Sequence, residues 1–360
     1  MKSQFLAPWA LATSALLLFV GCTAEGPGGS EGDGSSGSPE TSGEVSNLGG
    51  EVRVDGSSTV YPISEAVATR FRDGYPNVNV SVGFQGTGGG FKRFTQGDCD
   101  ISDASRPIKK SEFAACQEHG VKFIEVPVAY DGLTIVVNPK NTFVEQLTVD
   151  ELKKIFLASG AAKTWHDVNE AWPEEEIKLF APGTDSGTYD YFKEVVLGKD
   201  EGAEMRGDMS LSEDDSILVK GVAGEDHAIG FFGAAYYFSN TDKLKAVKIV
   251  NPDTGAAVAP ATDTIESGEY APFSRPLFIY VSVKSLERLE VQEFVDFYLQ
   301  NAAATAAEVG YVALPDALNT AAQATFNQRK TGTVYLNAEG DKPSGSLTDL
   351  YKIENLHDFE

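Results

Sequence analysis

Three stretches of this chain place serine or threonine hydroxyls next to glycine, where an alternating, strand-like segment gives way to a helical pattern. The first, Asp55-Gly56-Ser57-Ser58-Thr59, follows the polar/apolar alternation of Glu51-Val52-Arg53-Val54 and precedes a helix expected to open at Pro62. The second, Gln85-Gly86-Thr87-Gly88-Gly89-Gly90, follows a strand pattern over 78–84 and leads into the helical Phe91-Lys92-Arg93-Phe94. The third, Ala181-Pro182-Gly183-Thr184-Asp185-Ser186-Gly187-Thr188, lies between a strand over 177–180 and a helix over 189–197. A helix start carries unpaired amide N–H groups and the positive end of the helix dipole, so it favours an anion without any cationic side chain. Glycine is costly in backbone entropy unless the chain must approach something closely or adopt positive φ. Any one such junction is commonplace as a helix cap; three in one chain, each richer in glycine than a cap requires, point to converging dipoles and an oxyanion site.

A further strand end, Cys99-Asp100-Ile101-Ser102-Asp103-Ala104-Ser105-Arg106-Pro107, adds Ser105 and the cation Arg106. One arginine offers two-pronged recognition of an oxyanion without flooding a site with charge. Choosing a protonated oxyanion over an unprotonated one needs an acceptor for the extra proton, and Asp103, Asp131 and Asp185 are the candidates. The glycine loop is no nucleotide P-loop, because no Gly-Lys-Ser/Thr closes it, and it lacks the dinucleotide spacing. Gly183-Thr184-Asp185-Ser186-Gly187 is not a nucleophile elbow, and no histidine lies near Ser58 or Ser186 in sequence; a phosphate-ester hydrolase is therefore the remote alternative. The histidines at 119, 166, 227 and 357 are scattered, and neither they nor the cysteines show metal-ligand spacing; no metal and no cofactor are expected.

The elements that must position these residues follow from the rest of the chain. Strand-like and helix-like runs alternate from about residue 49 onward, the α/β signature, over a length that suits two domains. Apolar segments over 121–126 and 130–137 read as two strands, the second a candidate crossing between domains, and 277–283 as the return crossing. Helices are expected over 109–119, over 147–157 with a Thr148/Glu151 capping box, from a Ser212 cap to about 221, and over 291–299, 302–309 and 317–327. The acidic stretch 337–360 has no clear periodicity.

Lys2 followed by an apolar run over 10–20 reads as a leader, too short to span a membrane comfortably. It ends at Val20-Gly21-Cys22, the shape of a bacterial lipobox in which Cys22 is acylated; an ordinary signal peptide with an incidental cysteine is the alternative. Residues 23–48 are dominated by glycine, serine, proline and acid and hold no Lys or Arg, the composition of a disordered tether. The chain has 53 acidic against 29 basic residues and a formal charge of −24, which argues against nucleic acid and against unaided adsorption to anionic lipid. An anionic ligand would then be held by local dipoles rather than by long-range attraction. Cys99 and Cys116 form an even pair in an exported chain and are a disulfide candidate, with two buried free thiols as the alternative.

In these residues the chain resembles the PstS-type phosphate-binding proteins, the lipid-anchored receptors of phosphate importers of the ABC class. The likeness is carried by Asp55–Ile63 (DGSSTVYPI), Gly86–Phe94 (GTGGGFKRF), Asp100–Ile108 (DISDASRPI), Ala181–Phe192 (APGTDSGTYDYF) and Gly221–Tyr237 (GVAGEDHAIGFFGAAYY), in that order. The resemblance implies a non-enzymatic α/β protein with the two-lobed periplasmic-binding-protein fold (type II), two crossover strands and the ligand in the interdomain cleft. It implies lobe 1 over 49–130 plus 280–335, lobe 2 over 131–279 and a tail over 336–360, behind a leader over 1–21 and a linker over 22–48. The implied ligand is inorganic phosphate, with sulfate, molybdate or arsenate as alternatives. Its contacts would come from Ser57, Ser58 and Thr59, from Thr87 and Gly88, from Ser105 and Arg106, and from Ser186, Gly187 and Thr188 on the other lobe. Where better-known members carry an Asp that accepts the phosphate proton this chain has Ser105, and where they carry an Arg four residues before Ser-Gly-Thr it has Pro182, so Arg106 is read as the replacement cation. The implied partners are the permease subunits of an ABC importer and a bacterial membrane reached through the lipid anchor, in the periplasm or at the outer face of the cell membrane, with the receptor itself a monomer.

Overall fold

The computed structural model describes residues 47–184, 186–198, 203–336 and 345–357. The expected leader, the Cys22 acylation site, the linker up to residue 46, Asp185 and residues 337–344 and 358–360 of the tail lie outside the described residues. Strands and helices alternate through the first third: β1 (Gly49–Gly56), α1 (Tyr61–Gly74), β2 (Asn77–Val82), α2 (Thr87–Phe94), β3 (Ile101–Ala104), α3 (Lys110–His119) and β4 (Phe123–Val137). Val52 and Val54 of β1 and Val78 and Val80 of β2 face the core, while Asn77, Asn79 and Ser81 face outward, the alternation expected of a strand covered on one side. β1 pairs in parallel with both β2 and β3, so the turns after β1 and β3 leave the same edge of the sheet, with Gly56 opposite Asp103.

Two long strands tie the sheet together. β4 and the strand Ser274–Ser282 pair antiparallel over 123–132, and Ser274–Ser282 also pairs with β3. From Leu133 onward β4 changes partner to the strand Ala228–Gly233, which pairs with Lys178–Pro182, which in turn pairs with Ser210–Ser212. All of β4 is buried, which fits its near-continuous apolar sequence. The pattern read as two strands, over 121–126 and 130–137, is one, running straight through Pro127. A register shift between Leu277 and Phe278 sets Pro127 opposite Phe278, a bulge that accommodates a residue with no N–H to donate.

Other elements differ from expectation for local reasons. The helices expected over 291–299 and 302–309 are a single helix, Leu289–Glu308; Asn301, at the expected break, bonds back to the Phe297 carbonyl and stays within the helix. Asp214 rather than Ser212 caps the helix Asp215–Gly224 through its bond from the Ser216 amide. The Thr148/Glu151 capping box forms as expected. The end of the chain packs on β4: the Tyr351 hydroxyl donates to the Glu125 carbonyl at 2.6 Å, and the buried Glu125 carboxylate accepts from Tyr280, Thr333 and the Val334 amide. Burial pushes the Glu125 carboxyl up to about 7 against these donors.

The candidate disulfide is not formed. Cys99 and Cys116 are both buried free thiols. They sit in different surroundings, Cys99 near Asp55, Arg93 and Asp100 and Cys116 near Glu112, and burial pushes each up to about 12. Among the described residues no helix is long and apolar enough to cross a membrane.

Candidate functional site

The turns after β1, before α2 and after β3 border one cleft of about 690 Å3, and Ser57, Ser58, Thr59, Thr87, Gly88, Ser105 and Arg106 all line it. The first turn is shaped by Gly56, whose φ is +146° and where an added Cβ would stand 2.1 Å from the Asp103 carbonyl oxygen; no side chain fits. The Ser57 amide donates to that same carbonyl at 2.9 Å, which locks the turn to β3. Ser57 Oγ accepts the Thr59 amide at 3.2 Å, and the Ser57 carbonyl accepts the amides of Val60 and Tyr61. The Thr59 amide is thus used in holding the turn.

The second turn begins α2 four residues earlier than its sequence suggests, at Thr87 with Gly86 as a cap that brings no side-chain acceptor. Its opening amides are left for another partner. α2 lies on the first turn so closely that a Cβ at Gly90 would stand 2.5 Å from Gly56 Cα, which explains the glycine at that position, while Gly86 takes a positive φ of +79°. Thr87 Oγ1 accepts the Ser105 amide at 3.2 Å and shares a 3.1 Å hydrogen bond with Ser105 Oγ, joining the second and third junctions.

From the other half of the sheet, the helix Gly187–Leu197 starts at Ser186, whose Oγ accepts the Thr188 amide at 3.2 Å. Ser186, Gly187 and Thr188 are not in the lining of the cleft, yet they abut it directly. A Cβ at Gly187 would meet Thr59 Cα at 2.7 Å and Thr59 N at 2.8 Å, so the third helix start touches the first turn backbone to backbone.

Arg106 lines the cleft with its charge already balanced. Its guanidinium makes two hydrogen bonds, of 2.7 and 2.9 Å, to the carboxylate of Glu112 at the start of α3, and it lies over the Phe91 ring. A second arginine, which the sequence reading passed over, lines the same cleft: Arg275, near the start of the second crossing strand. Its Nε donates to Asp131 Oδ2 at 3.1 Å and its Nη2 to Thr59 Oγ1 at 3.0 Å, while its Cζ lies 3.5 Å from the Tyr191 ring centroid. The signal that could have found it is the register, which sets Arg275 directly opposite Asp131 on β4.

Of the three acceptor candidates, neither Asp103 nor Asp131 is in the cleft lining; Asp103 is buried, with Oδ2 taking the Ser64 hydroxyl at 2.8 Å. Burial, opposed by the Ser64 bond and reinforced by Asp55, pushes it up to about 8. Asp131 is also buried; burial raises its pKa and Arg275 draws it back down. Among the described residues Oδ1 of each takes no hydrogen bond. Asp185 lies outside the described residues.

A family model described as a PBP superfamily domain matches residues 34–302. The chain is 50% identical to Protein SphX of Synechococcus elongatus over 85% of this chain and 89% of that one. It is 43% identical to the phosphate-binding protein PstS of Staphylococcus haemolyticus, over 75% of this chain and 83% of that one. Among solved structures, a possible phosphate binding protein from Planctomyces limnophilus superposes with a TM-score of 0.75 at 46% identity, covering 78% of this chain and 99% of the other.

Proposed function

Because the chain belongs to the PBP superfamily, we propose that it is a receptor that binds inorganic phosphate and delivers it to the membrane permease of an ABC importer. The observation that carries this reading is the meeting of two helix-opening turns at one cleft, with the third helix start seated against the first turn through the contact of Gly187 on Thr59. The relatives named as phosphate-binding support the same ligand. A dianion leaving water needs many oriented donors; hydrogen bonds to a charged group contribute about 1.5–3 kcal/mol each, and half a dozen sustain the roughly −8 kcal/mol of a micromolar complex after the costs of association. Ser57, Ser58, Thr59, Thr87, Gly88 and Ser105 serve from one half of the sheet and Ser186, Gly187 and Thr188 from the other. In this reading the protein binds its ligand without turning it over, as a substrate-binding member of its family.

In this reading the lobes are residues 49–130 with 280–335 and residues 131–279, with 336–360 as a tail. The change of β4 partners at Leu133 supports that division. The receptor is an exported monomer, and acylated Cys22 with its tether holds it beside the permease. Calorimetric titration of the purified full chain with inorganic phosphate at neutral pH tests the proposal. Saturable one-to-one heat supports it, and silence with phosphate beside saturable heat with sulfate or molybdate would reassign the ligand.

A further inference from the structure

The phosphate reading leaves two questions about this chain: which cation meets the ligand, and which acceptor tells a protonated oxyanion from an unprotonated one. The position expected to supply the acceptor is Ser105, and Arg106 is held by both oxygens of Glu112. The crossing strands answer both. Arg275 is 15% exposed, lines the cleft, and is gripped from both halves of the sheet, by Thr59 on one side and the Tyr191 ring on the other. Glu194 Oε2, the other carboxylate near it, stands 3.9 Å from Nη1 and is 61% exposed, too distant to occupy that nitrogen. Arg275 therefore keeps N–H groups to offer, in a planar fork suited to an oxyanion.

Asp131 stands beside it, fully buried and outside the cleft lining itself, and reaches the cleft through its pairing with Arg275. Its Oδ2 orients the guanidinium through Nε, and its Oδ1 is buried without a hydrogen bond among the described residues. Ser274 Oγ, one residue before Arg275 and in the cleft lining, is likewise unpartnered. A buried acceptor left empty is costly, and a ligand hydroxyl relieves that cost whereas a ligand with no proton adds repulsion.

Resting on the phosphate reading, we propose that Arg275 is the ligand's cation and that Asp131, besides holding Arg275 in place, accepts the proton of a singly protonated tetrahedral dianion, so that this pair sets the choice of phosphate over sulfate. The assignment uses two residues 144 apart in sequence that meet only through the pairing of the crossing strands.

The test is titration calorimetry of the purified full chain and of four variants with phosphate and with sulfate, each variant checked by thermal melting. Arg275→Ala weakens phosphate binding roughly 30-fold or more, the effect of removing one member of a buried charge pair, while Arg106→Ala weakens it less than about tenfold. Arg275→Lys keeps the charge beside Asp131 and melts near the parent temperature, yet loses at least about tenfold because the fork is gone. Asp131→Asn still accepts from Arg275 and can offer its amide N–H to an unprotonated ion, so the preference for phosphate over sulfate shrinks at least about tenfold. A larger loss in Arg106→Ala than in Arg275→Ala, or an Arg275→Lys variant that binds like the parent, overturns the cation assignment. An Asp131→Asn variant with its preference intact overturns the acceptor assignment. A parent chain that takes up no phosphate defeats the underlying reading itself, which is a different result from a parent that binds phosphate with variants that do not respond.

Discussion

Replacing Gly187 with alanine probes the convergence of the turns without removing a single donor. The added Cβ would stand 2.7 Å from Thr59 Cα, 2.8 Å from Thr59 N and 3.0 Å from Thr59 Oγ1, where non-bonded carbons settle at about 3.5–4.0 Å. The overlap is close to an ångström and falls on backbone that is itself locked to β3 through Ser57, so no flexible tip can swing away. Forcing one methyl into a filled contact costs about 1–3 kcal/mol. Separating the two helix starts by an ångström relieves it, and alanine in a helix regains up to about 1 kcal/mol over glycine. The free protein can choose that relief; the liganded protein, which needs both helix starts on one anion, cannot. The melting temperature without phosphate is therefore expected to change little, while phosphate affinity falls roughly 5- to 150-fold, the 1–3 kcal/mol overlap at 1.4 kcal/mol per tenfold. Calorimetric titration beside a thermal melt reads both quantities. Unchanged affinity in Gly187→Ala would refute the claim that the first and third helix starts act on the same ligand.

Three further outcomes follow from the packing. Asp103 is held up at about 8 by burial, above its unfolded value of 3.8, so the folded state keeps a proton the unfolded state releases; stability from this group is complete below about pH 4 and is lost as pH rises toward 8, and Asp103→Asn should flatten that part of the melting-temperature profile. An unchanged slope would mean that other groups cause the pH dependence. Phe192 stacks on Phe231 with centroids 3.8 Å apart and meets Phe156 edge-on, anchoring the helix that opens at Gly187; Phe192→Ala should cost about 3–5 kcal/mol in denaturant unfolding, and a cost under about 1 kcal/mol would contradict that anchoring. Cys99 and Cys116 should resist a maleimide in the native protein and both react in denaturant with no reductant present, whereas labelling only after reduction would show a bridge.

How far the sequence could be read divides by whether the signal is local. Glycine, hydroxyl and strand alternation sit together at 55–59, 86–90 and 183–188, and their chemistry follows from neighbours in the chain, so the three helix-opening turns were legible. What they touch was less so: Thr59 spends its amide on Ser57, and Gly187 faces Thr59 rather than the open cleft. β4 was divided because Pro127 interrupts its pattern; the bulge that accommodates the proline leaves Val128 of β4 unpaired between Pro127 and Ala129, and it shows only in the pairing with a strand far along the chain. Arg275 carries no local motif at all. Beside Pro276, at the head of an apolar strand, it resembles a surface residue until the register sets it against Asp131. Arg106 drew attention for the opposite reason, as a cation in a well-marked junction, while the carboxylate that neutralises it lies at the start of the next helix. The tail is placed by contacts that sequence alone does not show, among them Tyr351 reaching the Glu125 carbonyl, 226 residues away, and the backbone pairing of His357 with Thr333.

The central claim, that helix starts from both halves of the sheet act on one anion, is tested most directly by a crystal structure of the full chain grown with phosphate. The account predicts a single tetrahedral anion in the cleft within hydrogen-bond distance of donors at Ser57–Thr59, of Ser186–Thr188 and of the Arg275 guanidinium. An anion bound by one half of the sheet alone, or seated away from these turns, would contradict it.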